Sequence, residues 1–189
     1  APPALYRQVP LTMVVESYLR NLWRYETLDA LDRAGVAVQI YGAGWDFAHF
    51  DNHVLNPPVD YDQSLELITQ AKVALNVSPQ FFSGSHERVL DAALNGAACL
   101  TSRSSFLAEV FDSGSEMAFY DVSEPSSVVE QARSLLDDDS RRGDMAQAAK
   151  LIAGRKHTWQ VRAEQVVDVY RAHDQMQDIL AKLKSGVDI

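Results

Sequence analysis

Short apolar segments with the character of β-strands alternate with helical segments through the middle of this 189-residue chain. The alternation limits the fold because parallel strands need a long connection back to the same edge, and that connection is usually a helix. Glycines at positions 35 and 96 follow two of the helical segments, as is typical of a helix end. The pattern predicts an α/β fold: a Rossmann-like three-layer domain with a parallel sheet and helices on both faces, plus C-terminal helices.

The predicted elements divide the chain into three parts. We expect residues 1–10 to be a linker, residues 11–157 to form the Rossmann-like domain and residues 158–189 to form a C-terminal helix. Strands are predicted at 36–41, 72–77, 97–101 and 117–120, with a very short one within 54–59, and helices at 11–34, 62–70, 86–95, 104–111, 125–137 and 139–154. The last helix carries a sustained apolar stripe, which fits either core packing or a dimer contact.

The composition argues against some classes of partner. With 17 Lys and Arg against 26 Asp and Glu, the formal net charge is −9, and an acidic surface repels nucleic acid and anionic lipid. A local anion site is still compatible with this charge, because a few oriented amides and one arginine are enough for a diphosphate. The single cysteine, Cys99, excludes an intramolecular disulfide. No apolar run approaches the roughly 18 residues of a membrane span, and we expect a cytoplasmic protein.

The segment from Asn76 to Thr101 carries the functional hypothesis. A strand ends at Val77, and the small residues of 83–85 then open a helix whose free N–H groups form an anion site. A glycine in that loop allows a ligand to approach the backbone. Arg88 lies in the first helical turn, where the helix dipole disfavours a cation. Either a bound diphosphate removes this conflict, or Arg88 pairs with the carboxylate at position 91.

Two further side chains in this helix have alternative roles. Asp91 shares a face with Glu87 and Asn95, one turn inside the helix, where a carboxylate can accept both hydroxyls of a ribose. The alternative is a solvated helix face. His86 can donate a hydrogen bond to a leaving diphosphate as negative charge develops, or it can simply cap the helix.

A resemblance to a known family rests on these residues. The run Asp91–Gly96 resembles the donor-site helix of GT-B glycosyltransferases, in which a carboxylate, small residues and a glycine precede a strand. The similarity extends over about residues 11 to 170 and is to the CgeB-like (spore-maturation protein) branch of that superfamily. Its further motifs are Tyr18–Arg24, Tyr41–Trp45, Leu75–Pro79, Gly84–Val89, Leu100–Thr101, His157–Trp159 and Arg162–Ala163.

The resemblance implies that the chain is one half of a GT-B fold and binds a nucleoside-diphosphate sugar without a metal or other cofactor. Asp91 takes the position of the ribose-binding carboxylate. Acceptor binding is then expected in a missing N-terminal domain, onto which the C-terminal helix would cross. The chain alone should bind donor weakly and transfer little. The expected site is His86 as the catalytic residue, with Ser83, Gly84, Ser85, Glu87, Arg88 and Asp91 around the donor.

One departure from the family pattern leaves alternatives open. Many retaining members carry a glutamate at the position of Ser83, which cannot supply a carboxylate, so the stereochemical outcome is left open. A non-catalytic interaction or regulatory module with this fold is therefore the second hypothesis. A third is another nucleotide-binding α/β enzyme, such as an epimerase-like protein. That class needs a glycine fingerprint, and Phe47 stands where its third glycine would fall after Gly42 and Gly44.

Overall fold

The computed structural model describes residues 5–78 and 80–185 and confirms the α/β fold class. Predicted strands and helices appear in the predicted order, with ends shifted by a few residues at most outside the first helix. The elements are α1 Leu5–Arg33, β1 Gln39–Tyr41, β2 Val54–Asn56, α2 Tyr61–Gln70, β3 Val73–Asn76, α3 Glu87–Leu94, β4 Ala98–Ser102, α4 Ser105–Val110, β5 Ala118–Tyr120, α5 Pro125–Leu136, α6 Asp139–Lys156 and α7 Trp159–Ser185.

All strand pairs in the described part of the chain are parallel, but the strands form two sheets instead of one. Strands β1 and β2 pair with Gln39 opposite Val54. Strands β3, β4 and β5 form a three-stranded sheet in that order, with Leu100 of β4 opposite Leu75 on one side and Ala118 on the other. Two prolines follow β2 directly and limit its length, since proline has no N–H for a ladder.

Helices cover both faces of the three-stranded sheet. Helix α5 packs against all three strands and against α1, whereas α3 packs against β3 and β4 and contacts α2. Leu100 belongs to the core cluster on the α1 and α5 side; the pleat of β4 turns its neighbours Cys99 and Thr101 to the opposite face. The buried members of this cluster are Leu31, Val36, Leu100, Ala118, Tyr120, Val128, Ala132, Leu135 and Met145.

Two helix ends follow the glycine signal in the sequence. Gly35 after α1 and Gly96 after α3 adopt positive φ angles of 71° and 77°, the left-handed conformation that only glycine adopts at little cost. The start of α1 differs from the prediction, because the helix begins at Leu5, inside the expected linker. Proline is unfavourable inside a helix, so sequence patterns place the start after Pro10, whereas the helix continues through it. Residues 1–4 of that expected linker, Pro79, and residues 186–189 of the expected C-terminal part lie outside the described residues.

The chain divides into two compact units, Ala1–Leu151 and Ile152–Ile189. The first unit contains both sheets and the helices that cover them. The second contains the end of α6 and the whole of α7, in which Val166, Val169 and Tyr170 are exposed. The packing partner of α7 therefore stays a prediction. Among the described residues, no helix combines the length and apolar character needed to cross a membrane.

Candidate functional site at the start of α3

A layer of buried polar side chains lies where β3 and β4 end. It determines the path of the loop that leaves β3 and leads to α3. It consists of Asn76, Ser78, Thr101, Ser102 and Tyr120, all of which are buried. The Asn76 amide donates to Thr101 Oγ1 at 2.9 Å, and the Tyr120 hydroxyl donates to the Asn76 carbonyl at 3.1 Å. Ser78 donates through its hydroxyl to Asn76 Oδ1 and through its N–H to Ser102 Oγ. Buried polar groups bonded in this way define one loop geometry at the carboxyl end of the sheet.

The loop is held by a backbone hydrogen bond at Phe82, and the Ser83 side chain is exposed. The Phe82 carbonyl accepts a hydrogen bond from Ser105 N at 2.8 Å, which joins the loop to the start of α4. Gly84 does not have a positive φ, and an added Cβ would meet only Phe81, at an ordinary contact distance of 3.5 Å. The protein's own packing therefore does not require glycine there. The Ser85 hydroxyl donates to the carbonyl of His86 at 3.0 Å.

His86 caps α3, which confirms one of the two roles open from the sequence. Its Nδ1 accepts a hydrogen bond from the Arg88 N–H at 3.2 Å, so the proton of the neutral ring is on Nε2. Partial burial, and then the nearby charge of Arg88, lower the pKa of His86 below its ordinary value. The ring also contacts Phe81 edge-on, with centroids 6.0 Å apart. The cap leaves Nε2–H as a hydrogen-bond donor, and the catalytic role of His86 stays a prediction.

Arginines from two helices are near enough to one another at this helix start for their charges to interact. Arg88 is exposed, and within the described residues its guanidinium forms no salt bridge, so the pairing with Asp91 is not observed. Burial lowers the pKa of Arg24 on α1, and the charges of Arg20 and Arg88 lower it further. The opposing charge is Glu16, which lies 3.8 Å from Arg20. The result is a group of arginines on α1 and in the first turn of α3, with the carboxylates of Glu16 and Glu87 nearby.

Asp91 lies one turn further along α3 and is half-buried. The Tyr61 hydroxyl at the start of α2 donates to Asp91 Oδ1 at 3.2 Å. Burial raises the pKa of Asp91, the Tyr61 hydrogen bond opposes that effect, and the charge of Glu87 adds to it. Glu87 is itself exposed. The carboxylate at position 91 is therefore held by a neighbouring helix and is not a freely solvated group.

His86, Arg88 and Asp91 lie at the start of α3 and in its first turns, and Glu87 lies among them. The loop before the helix contains Ser83, Gly84 and Ser85, and the role of all seven residues in donor binding stays a prediction. The structure adds Tyr61, which has no local signal in the sequence, and Arg24, which lies in the motif Tyr18–Arg24 but has no predicted role in the site. A separate surface depression contains none of these residues; it lies between α1 and α5 and is lined by Glu26, Asp29, Arg33, Pro125 and Val129 among others.

No metal-binding cluster of three or more His, Cys, Asp or Glu side chains occurs in the part of the chain that the structure describes. His53 is buried, and both of its ring nitrogens are used within the protein: Nδ1 accepts from Val38 N, and Nε2 bonds the Leu28 carbonyl at 2.9 Å. A neutral ring with its proton on Nε2 satisfies both bonds.

Comparison with solved structures shows the fold of GT-B glycosyltransferases. Sucrose-phosphate synthase from Thermosynechococcus elongatus is 13% identical with a TM-score of 0.67, and the match covers 80% of this chain and 42% of that one. TarM is 13% identical with a TM-score of 0.61, over 79% of this chain and 31% of that one. HepE from Anabaena, solved in complex with UDP and glucose, is 12% identical with a TM-score of 0.56, over 65% and 32%.

The sequence also matches a family model, Glycosyl transferase-like, over residues 20–168. The match extends through most of the chain, which therefore belongs to the glycosyl transferase-like family. The chain spans less than half the length of each of the three solved structures. No curated protein matches the sequence.

Proposed function

We propose that this chain is the donor-binding part of a glycosyltransferase and that it binds a nucleoside-diphosphate sugar at the start of α3. The observation that carries the proposal is the convergence of Arg24, Arg88 and the N-terminus of α3. Their charges have one sign, and the nearby carboxylates are Glu16, which lies beside Arg20, and Glu87 in the same helical turn. A diphosphate supplies the opposite charge in a form that two arginines and free N–H groups can share.

The diphosphate is placed here for electrostatic reasons. The first turn of a helix carries the equivalent of roughly half a positive charge, which disfavours the arginine at position 88 when no anion is bound. Arg24 is half-buried beside two other arginines, so its charge is also costly in the free protein. An anion between them offsets both costs. The loop residues Ser83, Gly84 and Ser85 then border the phosphates, and Gly84 leaves room for close approach.

The reacting end of the donor is placed next to His86. With Nδ1 occupied by the Arg88 N–H, the imidazole presents Nε2–H, which donates to a diphosphate oxygen as the sugar departs and negative charge develops. The positive charges come from side chains and a helix end, so the proposed site needs no metal ion and no other cofactor. Because Ser83 offers no carboxylate, the proposed site contains no glutamate of the retaining pattern at that position.

The ribose is placed on Asp91. Its carboxylate is held by Tyr61 and lies one turn beyond the proposed phosphate site, with Glu87 alongside. The acceptor is proposed to bind a second domain, N-terminal to this chain in a longer protein. Membership of the CgeB-like branch and a cytoplasmic location are further parts of the proposal. The family and the fold support a transferase, and no observation favours the non-catalytic alternative.

The proposal is tested by calorimetric titration of the chain with UDP and GDP up to millimolar concentration. We expect weak binding of at least one of them, and a loss of about tenfold or more in affinity for Arg24→Gln and for Arg88→Gln, since each removes a charge-assisted bond to phosphate. Arg33→Gln is the matched control, because it makes the same charge change at the far end of α1, where Arg33 pairs with Asp29. Absence of binding to both nucleotides contradicts the proposal.

A further inference from the structure

Tyr61 and Asp91 are joined by a hydrogen bond that lies at the protein surface. Tyr61 is the first residue of α2 and is 57% exposed. Its hydroxyl reaches across to α3 and donates to Asp91 Oδ1 at 3.2 Å. The start of α2 is well defined, because Asp60 and Gln63 form a reciprocal capping box around it. An exposed phenol that is aimed at a half-buried carboxylate from a fixed helix end indicates a positioning role.

The bond leaves the carboxylate free to bind more groups. A carboxylate has two oxygens and about four acceptor positions, and Tyr61 occupies one position on Oδ1. The remaining positions are enough for two neighbouring hydroxyls. Without the phenol, the Asp91 side chain would be free to rotate about its χ angles, and ordering it would oppose ligand binding.

The surroundings of Asp91 make this support useful. Burial and the charge of Glu87 both favour the neutral carboxyl form, whereas Tyr61, His86 and Arg88 favour the ionised form. Tyr61 acts by a direct hydrogen bond and Arg88 by its charge, whereas His86 contributes a charge only when its ring is protonated. The neutral acid accepts hydrogen bonds less well than the carboxylate. Tyr61 therefore contributes to the orientation of Asp91 and to its ionisation.

We propose that Tyr61 is a positioning residue that holds the Asp91 carboxylate for the 2′ and 3′ hydroxyls of a ribose, and so makes the site selective for ribonucleotides over 2′-deoxyribonucleotides. This inference rests on the proposed function, because it assumes that the ribose of the donor binds Asp91. The phenol contacts the carboxylate and not the reacting atoms, so removing it should change sugar preference more than affinity for phosphate.

The test compares UDP with 2′-deoxy-UDP by calorimetry. We expect the native chain to bind UDP about tenfold more tightly, the magnitude typical of a hydrogen bond to a charged group. Tyr61→Phe should lose most of this preference. Asp91→Asn should already lack the preference, so adding Tyr61→Phe to Asp91→Asn should cause no further change. Tyr170→Phe, at an exposed tyrosine of α7, is the matched control and should leave the preference unchanged.

A second readout separates positioning from a structural role. UDP binding should weaken as the pH falls and Asp91 becomes protonated. In Tyr61→Phe this loss should occur at a higher pH, because the phenol bond that favours the ionised form is gone. Thermal unfolding of the two proteins should be nearly the same, since the phenyl ring is retained.

The possible outcomes distinguish the two proposals. If the native chain binds neither UDP nor GDP, the proposed function itself fails. If UDP binds but Tyr61→Phe keeps the full preference for the ribonucleotide and the same pH profile, only the role of Tyr61 is overturned. An increase in UDP affinity in Tyr61→Phe would also overturn it, because it would mean that the phenol competes with the ribose for Asp91.

Discussion

The hydroxyl group of Thr101 should contribute more to stability than its methyl group, which can be tested by two substitutions. Thr101 is 0% exposed, and its Oγ1 accepts a hydrogen bond from the amide of Asn76, which is 2% exposed. Thr101→Val keeps the volume but leaves that buried N–H without its acceptor, at a cost of ~1–3 kcal/mol. The substitution also replaces a hydroxyl by an apolar methyl, worth ~0.8 kcal/mol when buried, so the net loss is ~0.2–2 kcal/mol. Because the hydroxyl also donates to the Ser102 carbonyl, we expect the upper part of this range.

The control is Thr101→Ser, which keeps the hydroxyl and removes one methyl group, at an expected cost of ~1 kcal/mol or less. Urea unfolding at neutral pH gives both free energies from the midpoint and the slope. The valine variant should also bind UDP more weakly than the serine variant, because the Asn76 side chain determines where Ser78 and the following loop lie. A valine variant as stable as the native chain, with a less stable serine variant, would refute this account of the buried polar layer.

Three further predictions concern single side chains of the same unit. Burial raises the pKa of the Cys99 thiol to about 12, so a thiol reagent at pH 8 should label the unfolded chain and not the native one; rapid labelling of the native chain would contradict this. The pKa of His86 is lowered on folding, so its contribution to stability should be full above about pH 6.5 and should decrease as the pH falls below that value. In urea titrations at pH 7.5 and 5.5, His86→Asn should reduce the difference in unfolding free energy between the two pH values, and an unchanged difference would disprove this. Gly96→Ala should lower the free energy of unfolding by ~1–2 kcal/mol, because φ is 77° at that position. Gly143→Ala, inside α6 where an added Cβ meets no atom, should not lower it, and equal melting temperatures for the two variants would argue against this.

Local signals in the sequence were sufficient to predict the elements around the candidate site. Gly96 marks the end of α3, because residues other than glycine adopt its left-handed conformation only at an energetic cost. The apolar run that follows predicts β4. The start of α3 is marked by the small loop residues before Glu87. These signals act within a few residues of each other, so no knowledge of packing is needed to use them.

The missing parts of the prediction depend on contacts between distant segments. Arg24 lies in the motif Tyr18–Arg24, but the motif does not indicate a partner, and only the packing of α1 brings Arg24 near Arg88. Tyr61 likewise meets Asp91 because α2 packs on α3. The split into two sheets also has no local signal, because strand pairing is a choice among partners and each strand here has at most five residues.

The arginines near the start of α3 have a consequence for turnover under the proposed function. Under that proposal they would bind the diphosphate, which is the portion of the donor that remains attached to the nucleoside after the sugar has left. Arg24 and Arg88 would therefore hold the spent nucleotide about as firmly as the intact donor, and product release would limit the catalytic rate. In a longer protein, the proposed second domain would then have to open and release the nucleoside diphosphate before the next cycle could begin.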